Sequence, residues 1–143
     1  MKTIFDLCEP RKDVKEGRAR DEEFAADLSR VISGEAEPVY GTPATFFRYT
    51  YPTRGVKNLL ETVCRRLSGK GGELNSVVRL DTQYGGGKTH SLIALVHAVQ
   101  GMQGVANANE FVDASLLPAG KVRVAALDGE RADPANGLKL GGG

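Results

Sequence analysis

Apolar residues recur at helical spacing in three stretches of the chain and in short continuous runs in two others. Phe24, Leu28, Val31 and Ile32 fall at i, i+4, i+7 and i+8, with Asp21 placed to cap the start and Gly34 to mark the stop. That spacing predicts an amphipathic helix, and its acidic opening Asp21-Glu22-Glu23 suits the positive end of the helix dipole. A second helix is predicted from Thr53, a candidate N-cap, with Leu59, Leu60, Val63, Cys64 and Leu67 on one face and Ser68-Gly69 at its end. A third runs from Lys88-Thr89-His90 to Gln100, ended by Gly101 and Gly104. It is apolar on most sides, the pattern of a helix packed against a sheet and covered by other elements.

Residues 1–20 read as an irregular or partly helical lead-in, and residues 105–120 as holding a short helical turn around Phe111 and Leu117. Residues 35–52 read as a connecting segment broken by Pro38, Pro43 and Pro52. Five of the nine aromatics crowd into it: Tyr40, Phe46, Phe47, Tyr49 and Tyr51. Packing onto the core accounts for them; an adenine pocket is the other reading.

The two apolar runs differ in kind. Val77, Val78 and Leu80 predict a buried strand ending at Asp81, and Val122, Val124, Ala125, Ala126 and Leu127 predict a second one ending at Asp128. Directly after the first comes Gln83-Tyr84-Gly85-Gly86-Gly87, and then the helix that Lys88-Thr89 opens. Strand, glycine loop, Lys-Thr and helix make the P-loop order. Glycines let the backbone close around phosphate, because a Cβ would clash and several positions need positive φ. The N–H groups of residues 85–89 then form an anion nest at a helix N-terminus. Lys88 is the candidate catalytic residue, its ammonium stabilising charge on the β- and γ-phosphates, and Thr89 offers its hydroxyl to Mg²⁺. The consensus wants a glycine six residues before the lysine, where this chain has Thr82.

Thr82-Gln83-Tyr84-Gly85-Gly86-Gly87-Lys88-Thr89-His90 resembles the loop of a group of large prokaryotic AAA-like ATPases, domain-of-unknown-function family four-nine-nine. The upstream Phe46-Phe47-Arg48-Tyr49-Thr50-Tyr51-Pro52-Thr53, the helix with Leu59-Leu60, and Asp128-Gly129-Glu130 also resemble that family, so the likeness runs from about residue 20 onward. Its most specific part is the Gly-Gly-Gly-Lys-Thr-His core, and replacement of the first glycine is common in the family. The resemblance implies ATP binding, and a place beside DNA methyltransferases and helicases in restriction-like anti-phage clusters.

The remaining candidates divide. Tyr84 either packs over the nucleotide or braces the turn. His90 reads as a polar helix residue facing solvent or a neighbouring loop, and its place near the phosphate keeps it among the nucleotide-contacting candidates with Tyr84, Gly85, Gly86, Gly87, Lys88 and Thr89. Asp128 ends the second predicted strand, as a Walker B magnesium ligand would, with Glu130 two residues on. Gly129 separates a pair that the motif keeps adjacent, so a turn residue is the first reading of Asp128 and Mg²⁺ ligation the second. His97 reads as a satisfied, partly buried histidine and Cys64 as a small core residue. Arg65-Arg66 with Lys70 reads as a solvated helix end.

Composition narrows the setting. Hydrophobic residues make up 41% and charged residues 26% of the 143, which fits a folded domain. Nineteen basic against 18 acidic residues leave +1, so net charge drives neither nucleic-acid nor anionic-membrane binding. No apolar run approaches the ~20 residues needed to span a bilayer, and Met1-Lys2-Thr3-Ile4-Phe5-Asp6 is charged too soon for a secretory signal. Cys8 and Cys64 are too few for a disulfide scaffold or a zinc site, so a cytoplasmic protein with reduced thiols is expected.

Length then bears on completeness. From Val77 to Gly143 there are 67 residues, room for roughly two βα units of about 30 residues each. The fold class expected is therefore α/β: an incomplete P-loop NTPase of one strand–loop–helix unit plus a second strand (residues 73–143), preceded by a helical N-terminal region (residues 1–72). The closing Gly141-Gly142-Gly143 is expected to mark where a longer protein is cut. The function expected is the N-terminal part of an AAA-like ATPase that binds Mg-ATP without hydrolysing it efficiently alone. A non-catalytic interaction module, with residues 1–70 docking a partner beside a vestigial loop, is the alternative.

Overall fold

A computed structural model of the chain describes residues 3–18, 25–72, 75–83 and 85–126. Seven α-helices are described in chain order: α1 (Ile4–Leu7), α2 (Lys12–Lys15), α3 (Leu28–Ser33), α4 (Pro38–Gly41), α5 (Pro43–Tyr49), α6 (Arg54–Leu67) and α7 (Lys88–Val99). Two 3₁₀ turns, Ala108–Glu110 and Ala114–Leu116, follow α7 and answer to the helical turn expected around Phe111 and Leu117.

The long helices form for local reasons. At α6 the Thr53 hydroxyl accepts from the Val56 N–H at 3.3 Å, which satisfies one of the donors a helix start leaves over. Its buried face is Val56, Leu59, Leu60 and Cys64. The far end closes with Gly69 N–H bonding the Arg66 carbonyl and Lys70 N–H the Arg65 carbonyl, both at 3.1 Å. That pair is the Schellman arrangement, which supplies donors for carbonyls the last turn cannot use. At α7 the same closure is made by Gly101 N–H to Ala98 and Met102 N–H to His97.

α3 begins later than its spacing suggests. Asp27 is its cap, with Oδ1 accepting from the Arg30 N–H at 3.2 Å; Asp21 and Phe24 lie outside the described residues, and Gly34 ends the helix as expected. The proline-broken segment 35–52 is also more ordered than a connection. Pro38 and Pro43 sit at the start of α4 and α5, where a preset φ helps and the missing N–H is one the helix would leave unbonded. α5 thereby turns Phe46 and Phe47 inward, 1% and 0% exposed.

The core gathers on α7. Ile93, Ala94, Ala98 and Val99 meet Phe46, Phe47, Val56, Leu60, Cys64, Phe111 and Val112, and α3, α5 and α6 each pack against that helix. Tyr40, Phe46 and Phe47 therefore serve the core, whereas Tyr49 and Tyr51 are exposed at 51% and 79%. The Arg11 guanidinium lies 4.9 Å above the Tyr49 ring and ties the N-terminal lead-in to α5. Cys64 is buried and Cys8 exposed, both free, and burial pushes the Cys64 thiol pKa up to about 11. No helix among the described residues is long and apolar enough to cross a membrane.

The α/β expectation is overturned: among the described residues there is no strand and no sheet, and the helices make the fold. Val77 is 81% exposed and Val78 43%, and no backbone hydrogen bond described joins residues 75–83 to residues 121–126. Val122 and Val124 pack on the core without entering a ladder. Leu127 and Asp128 lie outside the described residues. The physical reason is that an apolar run becomes a strand only where a neighbour supplies its donors and acceptors. The apolar surface of α7, which suggests a sheet, is covered by other helices instead.

Candidate functional site

The glycine loop leads straight into α7. Gly85 and Gly87 have φ of +77° and +74°, the left-handed region that L side chains avoid. Gly87 is the N-cap of α7 and brings no side chain to its free N–H groups. Those groups, which every helix start leaves without an intrahelical carbonyl, make the positive end of a 12-residue dipole. A Cβ built on Gly85 or Gly87 meets nothing within 4 Å, so these two positions call for glycine through their backbone conformation and not through lack of room.

Gly86 has a different reason to be glycine. A Cβ there would stand 2.6 Å from the Thr82 hydroxyl, 2.7 Å from Thr82 Cβ and 2.9 Å from the Gln83 carbonyl. Thr82, where the consensus has glycine, therefore fills the space that a side chain at position 86 would need. Gly86→Ala is expected to cost about 1 kcal/mol of stability, the low end of over-packing because the loop is exposed. Adding Thr82→Gly should recover part of that loss. Urea midpoints of the two single variants and the double would show it; strictly additive losses would mean that the two positions do not meet.

The Lys88 ammonium donates to the Thr82 carbonyl at 3.0 Å, the Gln83 carbonyl at 3.2 Å and the Thr82 hydroxyl at 3.3 Å. It lies across the mouth of the loop, exposed, next to the exposed Thr89. The Ser91 hydroxyl and N–H both bond the Gly87 carbonyl at 2.9 Å and so close the first turn. Tyr84 and Asp128 lie outside the described residues, and no group of three metal-ligating side chains occurs among the described ones. Thr82, Gln83 and Ser91 are members of the site that motif reading passes over, since Thr82 stands where the motif has glycine, Gln83 at a position the motif leaves open, and Ser91 beyond Lys-Thr.

His90 faces a neighbouring element, not solvent. Its Nε2 is 2.9 Å from the Thr50 hydroxyl, and its ring lies 4.5 Å from that of Phe46. Burial holds its pKa below the ordinary histidine value. Seven residues on, His97 is only 2% exposed, more deeply buried than its pattern suggests, and its Nε2 donates to the Tyr40 carbonyl at 2.7 Å. Its Nδ1 is buried with no hydrogen-bond partner among the described residues, so one nitrogen is satisfied and the other is not.

Burial depresses the His97 pKa below 6.5, outweighing the Tyr40 carbonyl, which acts in the other direction. The unfolded chain thus takes up a proton that the folded one resists, and the stability this histidine contributes is full above about pH 6.5 and falls as the pH drops below it. The thermal midpoint is expected to fall on going from about pH 8 to about pH 5. His97→Gln, which keeps an N–H for Tyr40, should make that slope shallower; an unchanged slope would count against the assignment.

A family model described as the DUF499 N-terminal domain matches residues 4–123. Neither a curated protein nor a solved structure matches the chain.

Proposed function

Because the chain belongs to the DUF499 family, through that family's N-terminal domain, we propose that residues 85–89 hold the phosphates of ATP together with Mg²⁺. The observation that carries this reading is the pair of left-handed glycines, Gly85 and Gly87, ahead of an α7 start with no side-chain cap. Backbone N–H groups of that stretch would surround the phosphate oxygens. Lys88, already poised over the loop carbonyls, would exchange them for β- and γ-phosphate oxygens, a stronger partner for an ammonium than a neutral carbonyl. Thr89 would give its hydroxyl to Mg²⁺, whose charge offsets that of the triphosphate. The reading extends to binding; efficient phosphoryl transfer needs a group that orients water and a further cation at the γ-phosphate. The likeness to AAA-like ATPases further proposes DNA methyltransferase or helicase subunits as partners, on kinship alone.

Isothermal titration with millimolar Mg-ATP tests the proposal. Saturable heat that weakens when Mg²⁺ is chelated, and that loses this Mg²⁺ dependence in Thr89→Ala, is the expected result. An ordered chain that gives no heat would sink it and leave an interaction module with a vestigial loop.

A further inference from the structure

We propose that Thr50 is a positioning residue for the phosphate loop: its hydroxyl holds the His90 ring and so fixes the first turn of α7 against α5. The proposal rests on the nucleotide reading above and adds to it the element that sets the loop's direction.

Thr50 is 7% exposed and stands just past the end of α5. Its Oγ1 is 2.7 Å from the Phe46 carbonyl and 2.9 Å from His90 Nε2. A hydroxyl has one proton, and the Phe46 carbonyl can only accept, so Thr50 donates there. His90 must then donate to Thr50, which fixes its proton on Nε2. The ring is held on its face as well, at 32° to Phe46, and Tyr40 meets it edge-on with centroids 6.4 Å apart.

This matters for the loop because of where His90 sits. It is the third residue of α7, after Lys88 and Thr89, and the Ser91 N–H to Gly87 carbonyl bond ties that turn to the last loop glycine. The first turn of α7, which carries Lys88, Thr89 and their N–H groups, cannot shift relative to α5 without breaking the His90–Thr50 bond. The hydrogen bonds described for the loop's own side chains are local, Lys88 to residues 82 and 83 and Ser91 to residue 87. The His90–Thr50 bond instead spans 40 residues. His97, two turns on along α7, bonds the Tyr40 carbonyl. The α4–α5 pair thus grips α7 twice, and the grip nearer the loop is Thr50.

The test compares Thr50→Val, which keeps the shape and removes the hydroxyl, with Thr50→Ser, which restores it. Amide hydrogen exchange at Ser91 and Mg-ATP titration are read in both. Thr50→Val is expected to speed Ser91 exchange about fivefold relative to the amides of residues 93–99, and to weaken Mg-ATP by a similar factor, as loss of one hydrogen bond implies. Thr50→Ser should return both to the wild-type values. A core truncation such as Val112→Ala, by contrast, should move the amides of α7 together. If Thr50→Val does not fold, His90→Phe keeps the ring against Phe46, removes the N–H and is read in the same way. Unchanged Ser91 exchange, or Thr50→Ser behaving like Thr50→Val, overturns the proposal. Ser91 exchange that responds in a chain taking up no Mg-ATP would overturn the nucleotide reading and support the positioning contact.

Discussion

Phe47→Ala is expected to cost about 3–5 kcal/mol of folding stability, the range for truncating a buried aromatic. The ring is fully buried, with Phe111 at 4.7 Å, Phe46 at 5.3 Å and His97 at 6.3 Å between centroids. Those neighbours come from three separate parts of the chain, so the void cannot be closed by moving one of them. The backbone is held there too, since the Asn107 amide donates to the Phe47 carbonyl at 3.4 Å. A loss of that size is comparable to much of a small domain's total stability of about 5–15 kcal/mol. Tyr51, one residue beyond α5's C-cap and 79% exposed, provides the contrast. Tyr51→Ala should stay within about 0.5 kcal/mol of the parent. Urea unfolding of the two variants checks this, and equal losses would show that the burial assigned to α5 is wrong.

Lys88→Ala is expected to leave folding nearly unchanged and to reduce Mg-ATP affinity about 100-fold, or roughly 2.7 kcal/mol. The separation follows from the environment of the side chain. Lys88 is exposed and its partners are the carbonyls of Thr82 and Gln83 on the same loop, which water can satisfy in its absence. A triphosphate held at the loop would lose a charge-assisted hydrogen bond that alanine cannot replace. Lys88→Arg should recover only part of the affinity, since a planar guanidinium is wider than the ammonium it replaces. Titration calorimetry and thermal midpoints on the same samples read both quantities. Unaltered affinity in Lys88→Ala would remove the lysine from the site, and a large fall in the thermal midpoint would make it a structural residue.

Legibility followed the range of the interactions. The cap of α6 at Thr53 and its end at Ser68-Gly69 are visible in sequence, since each involves residues within a few positions. The apolar surface of α7 is visible too, but not what covers it. Val77-Val78 and Val122-Val124 carry strand-like composition, yet composition cannot report whether a ladder partner exists. Pro38 and Pro43 read as breaks because a proline ends a helix as readily as it begins one, and only the position of the next carbonyl tells which. Thr82 reads as a defect of the motif until the close approach of Gly86 shows its side chain filling that space.

The sequence by itself determined the chemistry of the loop: three glycines, a lysine and a threonine at the opening of a helix, all covalent neighbours whose geometry follows from positive φ and a free helix end. It also determined the capped helix α6 and the middle of its buried face at Leu59, Leu60 and Cys64. Leu67, expected on that face, is 45% exposed at the helix end, and Val56 joins the face instead. It took the tertiary structure to show that, among the described residues, helices and not strands cover α7, and that His90 and His97 are spent on Thr50 and the Tyr40 carbonyl, 40 and 57 residues away. Helical hydrogen bonds and caps are satisfied within one or two turns of the chain, so local pattern reveals them. Strand ladders and buried polar side chains need partners supplied from a distance, and which distant segment arrives is decided by how the whole core packs.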